Sequence, residues 1–261
     1  MATPRLTRKE IKRPDQFISN TVRALNWAKD HAAYLLYSVL GIVVVISLVV
    51  GWSAWQRRQY QKAEVLLYEA VKLLKTSTSD ADDQAAAKTE RDQAVQLLQT
   101  LTRDHGRTPA AALAHWHLGH HYYVQGDYAS ALVAYEQAQR LLRSDEPRLI
   151  PALVTLNIGY AQEASGGCDT AIASFERILQ TSVNWIHGEA FLGIGRCYEK
   201  SGATDQAKEV YARALSDDTI SGAARQRLEQ RQAYITRLGA DGDDSQKEGR
   251  SSKATDTSES K

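Results

Sequence analysis

The chain has 261 residues, of which 43% are hydrophobic and 24% are charged, and its formal net charge is +1. This composition supports a globular core. The near-neutral charge lacks the basic footprint of a nucleic-acid-binding domain. Apolar residues recur at helical spacing along most of the chain, and strand-like alternation is absent. We therefore predict an all-α fold and no nucleic-acid partner.

The leader, residues 1–33, is basic. Asp15 follows Pro14 and suits the N-cap of a short helix with one apolar face. Beside a membrane span, such a juxtamembrane helix would lie on the membrane surface. The alternative is a simple lead-in to the apolar segment that follows. The basic residues of the leader are Arg5, Arg8, Lys9, Lys12, Arg13, Arg23 and Lys29.

Residues 34–55 form an apolar run, YLLYSVLGIVVVISLVVGWSAW, without Asp, Glu, Lys or Arg. As a helix the run would be about 33 Å long, which is enough to cross a hydrocarbon core of about 30 Å. Tyr and Trp lie at both ends, as in the interfacial belts of membrane proteins. The leader is too long for a cleaved signal peptide, and no A-x-A site follows the run. We predict a single transmembrane helix that is retained as a signal anchor.

The charges that flank the run predict its orientation. Lys and Arg are enriched on the cytoplasmic side of a membrane span. The far side carries Arg57, Arg58 and Lys62 close to the span, fewer than the leader carries. We predict a cytoplasmic N-terminus and a C-terminal domain on the opposite side of the membrane.

Residues 56–105 are predicted to form a membrane-proximal helical hairpin with an inserted loop. Residues 56–75 continue as an amphipathic helix, and residues 90–102 form the second helix of the hairpin. The polar segment TSTSDADDQ lies between them. Its aspartates lack the Gly and the terminal Glu of a calcium loop, so we interpret the segment as solvated. These aspartates are Asp80, Asp82 and Asp83.

Residues 109–238 contain a pattern that recurs three times. Each copy has a first Gly, a second Gly seven residues later, an Ala five residues further and an aromatic residue four after that. The second Gly suits a helix end in a left-handed conformation, and the first Gly and the Ala suit a close approach of two helices. We expect the aromatic residue to fill the space between neighbouring hairpins. The three sets are Gly119, Gly126, Ala131 and Tyr135; Gly159, Gly166, Ala171 and Phe175; and Gly195, Gly202, Ala207 and Tyr211.

The repeated pattern predicts three helical hairpins that stack into a solenoid. A last helix, from Ile220 to Leu238, has few apolar residues and is interpreted as a polar cap on the array. Residues 239–261 contain no large apolar side chain, so we predict a disordered tail there.

The three copies resemble the tetratricopeptide repeat family over residues 112–214. The tyrosine that this family carries three residues after the first Gly is present as Tyr122 and Tyr198, and Gln162 replaces it in the middle copy. The copies are spaced more widely than the roughly 34 residues of an uninterrupted array. The resemblance implies an α-solenoid that binds other polypeptides and is not an enzyme.

The order of leader, apolar span and repeats also resembles the YfgM-like family, ancillary subunits of the bacterial SecYEG translocon. The local resemblance is the segment GWSAWQRRQYQKAEVLLYEAV, which starts at Gly51. It implies a single-pass protein of the bacterial inner membrane with a periplasmic repeat domain. SecYEG and nascent polypeptides are the partners that it implies. The longer leader and the polar tail depart from that family.

In tetratricopeptide arrays the first helix of each repeat lines a concave groove, and the resemblance carries this role to a set of residues here. Aromatic anchors lie at one end of the set and charged residues lie at the other. The alternative is that some of the aromatic residues only pack between repeats. The predicted groove residues are Leu113, Trp116, His120, Tyr123, Leu156, Tyr160, Glu163, Leu192, Arg196 and Glu199, with Leu153 and Glu189 beside them.

Two further groups of residues, one of histidines and one of cysteines, have side chains that can bind metals or form disulfides. His117 and His121 are four residues apart on one helix, a spacing that suits a metal, but a surface or packing role is the preferred interpretation. Cys168 and Cys197 fall in adjacent repeats; we favour two independent thiols over a disulfide, which an oxidising compartment would allow. We predict no catalytic residue, no cofactor, no metal and no small-molecule substrate.

These features favour a membrane-anchored, non-enzymatic protein that binds partner proteins at the outer face of a bacterial inner membrane. A translocon-associated chaperone or scaffold is the first interpretation. The alternative is a structural assembly subunit of another envelope complex, for cell division or cytochrome maturation. A third interpretation is an enzyme with an unrecognised site at the histidine cluster of His115, His117, His120 and His121.

Overall fold

The computed structural model of the chain describes residues 16–79, 84–142, 148–220 and 222–237. Across these residues the secondary structure is helical, with no strand. The predicted N-cap Asp15, the three loop aspartates and the tail 239–261 lie outside the described residues. The helices are α1 (Gln16–Asp30), α2 (Ala32–Ser79), α3 (Gln84–Asp104), α4 (Pro109–Val124), α5 (Tyr128–Leu141), α6 (Leu149–Ala164), α7 (Cys168–Leu179), a 3₁₀ turn (Asn184–Ile186), α8 (His187–Lys200), α9 (Thr204–Leu215) and α10 (222–237).

The chain divides after Arg58 into two units. In the first unit, α2 carries the predicted span 34–55. The segment Ala32–Ser77 has an 18-residue window of mean hydropathy 2.6, and none of that window is buried. By length and composition it is the one candidate membrane span among the described residues. Because signal sequences share these properties, the helix gives weak support for a membrane anchor.

The hairpin at the start of the second unit differs from the sequence prediction at its turn. The prediction ended the first helix at Lys75, but α2 continues to Ser79, and α3 begins at Gln84 instead of residue 90. Hydroxyl side chains at this end of α2 bond back to the preceding helical turn. Thr76 Oγ1 donates to the carbonyl of Leu73 at 3.0 Å, and Ser77 Oγ donates to that of Leu74 at 2.9 Å.

Three helical hairpins follow: α4 with α5, α6 with α7, and α8 with α9. Each helix from α3 to α9 contacts the next, and α6 also contacts α4 and α8. The first helices of the hairpins therefore form one row, as in a solenoid. α4 begins at Pro109 behind its N-cap Thr108, whose Oγ1 accepts from the Ala111 amide at 3.3 Å. A Pro at this first position is pre-set for helix.

α10 packs on the end of the array. Leu228 and Ile235 are buried in the same apolar cluster as Leu192 and Ile194 of α8. The Arg225 guanidinium donates to the backbone carbonyl of Leu215, the last residue of α9, at 2.9 Å. The helix thus covers the third hairpin and satisfies a carbonyl that a helix end leaves free.

The second glycine of each copy ends the first helix of its hairpin, as predicted. Gly126, Gly166 and Gly202 have φ of 80°, 89° and 76°, a region that costs other residues free energy. The amide that follows each glycine bonds back across the turn, for example Asp127 N to Tyr122 O at 3.0 Å. This is the hydrogen-bond pattern of a glycine C-cap.

The first glycine of each copy makes room for the aromatic ring of its own hairpin. A Cβ at Gly119 would lie 2.5 Å from the Tyr135 ring. Equivalent atoms at Gly159 and Gly195 would collide with Phe175 and Tyr211. Each ring also lies between neighbouring elements, as predicted. Tyr135 shares an apolar cluster with Val154 of the next hairpin, and Phe175 reaches Gly193 of the next one. The contact with the first Gly of its own hairpin is an addition to that prediction.

Candidate protein-binding face

The predicted groove residues lie on α4, α6 and α8, the first helices of the three hairpins. We call the side of these helices that carries them the first-helix face. Several of them come together there. The Arg196 guanidinium lies 5.8 Å from the centre of the Tyr160 ring, and Tyr123 is close enough to Glu163 and Arg196 for their charges to act on its hydroxyl.

Three of the ten predicted residues are buried. Leu156 and Leu192 are 6% and 2% exposed and belong to the apolar core, and Glu163 is 7% exposed. The two leucines therefore support the first-helix face from beneath. Glu163 contributes through the residues that it holds in place.

At one end of the face, α4 carries the aromatic end, which we define as Trp116, His120 and Tyr123. His120 is exposed, and Trp116 and Tyr123 are half-buried. Trp116 packs on the apolar cluster that contains Val154 and Ile158, and its indole nitrogen has no hydrogen-bond partner in the described part of the chain. Half-buried aromatic side chains of this kind are typical anchors in protein interfaces. Leu113, also on α4, is half-buried as well.

A bidentate ion pair joins α6 to α8. Arg196 donates to the two carboxylate oxygens of Glu163 at 2.8 and 2.6 Å, and Lys200 Nζ lies 3.2 Å from the same carboxylate. Burial by itself raises the pKa of Glu163, but hydrogen bonds and charges from Arg196 and Lys200 outweigh it and hold that pKa below its usual value. Glu163 therefore remains ionised at neutral pH.

Two further carboxylates of α8 pair with α10. Glu189 accepts the Tyr160 hydroxyl at 3.0 Å and forms an ion pair with Arg227. Glu199 accepts the Tyr211 hydroxyl at 2.6 Å and pairs with Arg231 at 2.9 Å. Burial, followed by the Glu189 carboxylate, raises the pKa of Tyr160. The charged end of the face consists of Glu163, Glu189, Arg196, Glu199, Lys200, Arg227 and Arg231.

Sequence reasoning missed the basic partners Lys200, Arg227 and Arg231. Arg227 and Arg231 lie on α10, which was interpreted only as a polar cap. They are four residues apart, so they lie on the same side of α10. The sequence does not show that α10 continues the row of first helices, so the pairs could not be assigned from it.

Comparison with known proteins identifies the architecture. The model of a tetratricopeptide repeat-like domain matches residues 26–235, most of the chain. The chain belongs to the tetratricopeptide repeat-like domain family. No curated protein matches its sequence.

The chain is also similar to parts of several solved structures. The crystal structure of MamA protein is 22% identical, with a TM-score of 0.43, over 59% of this chain and 74% of that one. Nearly identical TPR-like repeats assigned to a Podosopora anserina kinesin light chain are 17% identical, with a TM-score of 0.38, over 59% of this chain and 90% of that one. A variant of those repeats with a single substitution is 16% identical, with a TM-score of 0.40, over 69% of this chain and 96% of that one.

Tetratricopeptide repeats are in general non-enzymatic scaffolds for protein–protein interaction, and they bind along extended surfaces of stacked repeats. The first-helix face runs along three stacked repeats. Its two ends differ in what their side chains do: the aromatic end leaves groups exposed, while the charged end uses its groups to hold α6, α8 and α10 together.

The histidines of the α4 cluster differ in burial and in their contacts. Among the described residues, no group of three or more His, Cys, Asp or Glu is placed to hold a metal ion. Burial, followed by the nearby His120, lowers the pKa of His117, and the His121 ring lies 3.1 Å from the Gln125 amide nitrogen. These contacts match the packing role that the sequence analysis preferred.

Proposed function

We propose that this chain is a membrane-anchored tetratricopeptide scaffold that binds other proteins through the first-helix face. The aromatic end of the face carries the proposal. Trp116, His120 and Tyr123 lie side by side on α4, and none of the three takes part in the ion pairs that occupy the charged end. A partly exposed aromatic cluster on a rigid helix supplies contact area with little loss of side-chain entropy.

A photo-crosslinking amino acid at His120 tests the proposal in cells. His120 is exposed, so the substitution leaves the fold intact, and we expect adducts with partner proteins. The matched control is the same amino acid at Val133 of α5, which is 60% exposed and lies on the second helix of the same hairpin. Equal adducts at both positions, or none at His120, would contradict binding through the first-helix face.

We further propose the following domain organisation. Residues 1–33 form a cytoplasmic leader, residues 34–55 cross the bacterial inner membrane, and the helical hairpin 56–105 leads to the repeats and capping helix of 109–238. Residues 239–261 form a polar tail. Support comes from the apolar composition of the span, its lack of burial, and the excess of Lys and Arg on its N-terminal side.

Protease added to spheroplasts tests this topology. An epitope placed after Lys261 should be lost when protease reaches the outer face of the inner membrane. Retention of the epitope in intact spheroplasts, together with its loss after lysis, would place the repeats in the cytoplasm.

We propose the translocon as the site of action, with SecYEG and nascent or unfolded chains as partners. The order of leader, apolar helix and repeats supports this. An anchor raises the effective concentration of the repeats for partners at the same membrane. Mass spectrometry of the His120 adducts distinguishes a translocon-associated scaffold from an assembly subunit. SecYEG subunits together with many client proteins would support the proposal. A single stoichiometric partner from another envelope complex would overturn it in favour of an assembly subunit.

A further inference from the structure

Two thiols from different repeats meet inside the array. Cys168 is the first residue of α7, and Cys197 lies near the end of α8. These helices pack against each other, and Cys168 packs on the apolar cluster that contains Cys197. The ring of Phe175 on α7 lies against Gly193 of α8, which places the start of α7, with Cys168, beside the end of α8, with Cys197. The sequence favours two independent thiols, but the fold packs both of them at one helix contact.

The two thiols differ in their access to solvent. Cys197 is fully buried and Cys168 is half-buried, and both are unbridged in the structure. Burial, followed by the neighbouring Cys168 thiol, raises the pKa of Cys197 to about 12. A reagent from solvent therefore meets Cys168 first, and Cys197 is protected from outside reagents while it remains beside its partner.

We propose that Cys168 and Cys197 form an intramolecular disulfide that joins the second repeat to the third when the chain meets a disulfide oxidant. Cys168 attacks the disulfide of the oxidant, such as oxidised glutathione, and forms a mixed disulfide as one thiol of the oxidant leaves. Cys197 then attacks the Cys168 sulfur and expels the second thiol. Two protein thiols are oxidised, and one disulfide of the oxidant is reduced to two thiols.

The position of this bridge gives it a mechanical effect on the first-helix face. Cys197 follows Arg196, which pairs with Glu163 of the second repeat. The disulfide would join the second repeat to the third beside the Glu163–Arg196 ion pair, which also joins these two repeats. It would hold the two repeats in register even where the Glu163–Arg196 pair is broken.

The bridge is tested on the full-length chain, purified in reduced form and then equilibrated with oxidised glutathione. We expect neither thiol to react with maleimide after the oxidised chain is denatured in urea, which exposes Cys197, whereas both should react in the reduced, denatured chain. Non-reducing peptide mass spectrometry should show the Cys168 peptide linked to the Cys197 peptide. The Cys168→Ser and Cys197→Ser variants are the controls. In each of them, the remaining thiol should give no linked peptide within the chain.

Thermal unfolding supplies a second readout. A bridge between two repeats should raise the midpoint of the wild-type chain by about 5 to 10 °C on oxidation, and oxidation should leave the midpoint of Cys168→Ser unchanged. Because Cys168 is half-buried, this variant keeps the fold even if Cys197→Ser does not. Glutathione retained on Cys168, linkage between two chains, or thiols that still react with maleimide would each overturn the proposal.

Discussion

The two ends of the first-helix face occupy equivalent positions in successive repeats, yet their side chains make different contacts. At the aromatic end, Trp116, His120 and Tyr123 project from one helix and form no ion pair with any of the described residues. At the charged end, Glu163 and Arg196 bond each other across two helices. Equivalent positions of the array thus carry aromatic side chains at one end and ion pairs between helices at the other.

The difference follows from what lies beside each helix. α8 has α6 on one side and α10 on the other, and both neighbours supply side chains of opposite charge to it. A buried carboxylate such as Glu163 must be paired, because an unpaired buried charge is costly. Charge in a groove therefore does not by itself indicate selection of partners.

Arg196→Met gives the largest expected effect, because it leaves the buried Glu163 carboxylate with only the exposed Lys200 as a partner. We expect a loss of about 2–3 kcal/mol in the free energy of unfolding, measured by urea denaturation. The matched control is Arg140→Met on α5, whose ion pair with Glu136 is exposed and worth less than about 1 kcal/mol. Equal losses in both variants would mean that the charged end does not hold the repeats together.

Gly119→Ala and Gly195→Ala test whether the two ends share the same internal packing. In both hairpins the added Cβ would meet the aromatic ring of the second helix, Tyr135 or Tyr211. Because overpacking of a core typically costs about 1–3 kcal/mol, we expect similar losses in thermal unfolding for the two variants. A loss at one end alone would show that the hairpins are built differently beneath the face.

Acid should reduce the contribution that the Glu163 ion pair at the charged end makes to the stability of the fold. The pKa of Glu163 is lower in the folded chain than its ordinary value of 4.5. Its contribution to stability is therefore complete above that ordinary value and is lost as the pH falls through the lowered pKa. We expect the difference in stability between the wild-type chain and Glu163→Gln to shrink below about pH 4.5, in urea titrations at several pH values. A constant difference over that range would contradict a paired Glu163.

Most of the fold could be predicted from sequence, because its signals are local. The second glycine of each copy marks a left-handed helix end, and Gly126, Gly166 and Gly202 all take that conformation. The end of α2 was predicted less well, since the segment from Thr76 to Ser79 is polar and typical of a turn. There, the composition is that of a loop, yet the segment is helical and its Thr76 and Ser77 hydroxyls bond to carbonyls of the preceding turn.

The role of the face was harder to predict, because it depends on contacts between distant residues. Register alone assigned Leu156 and Leu192 to the groove, although both lie in the core. It also placed Glu163 and Arg196 on the same face without showing that they bond each other. Only the position of α10 beside α8 shows that Arg227 and Arg231 complete the charged end.

His120→Ser should have the smallest effect on stability and the clearest effect on binding. The side chain is exposed, so its removal should change the free energy of unfolding by less than about 0.5 kcal/mol. If the aromatic end contacts partners, the yield of partner adducts from a photo-crosslinker at the neighbouring exposed position Val124 should fall several-fold in His120→Ser. The same crosslinker in the Val133→Ser background is the control, because that change removes an exposed side chain of α5 instead. An unchanged yield in His120→Ser would remove the distinction between the two ends, because both would then serve only to hold the repeats together.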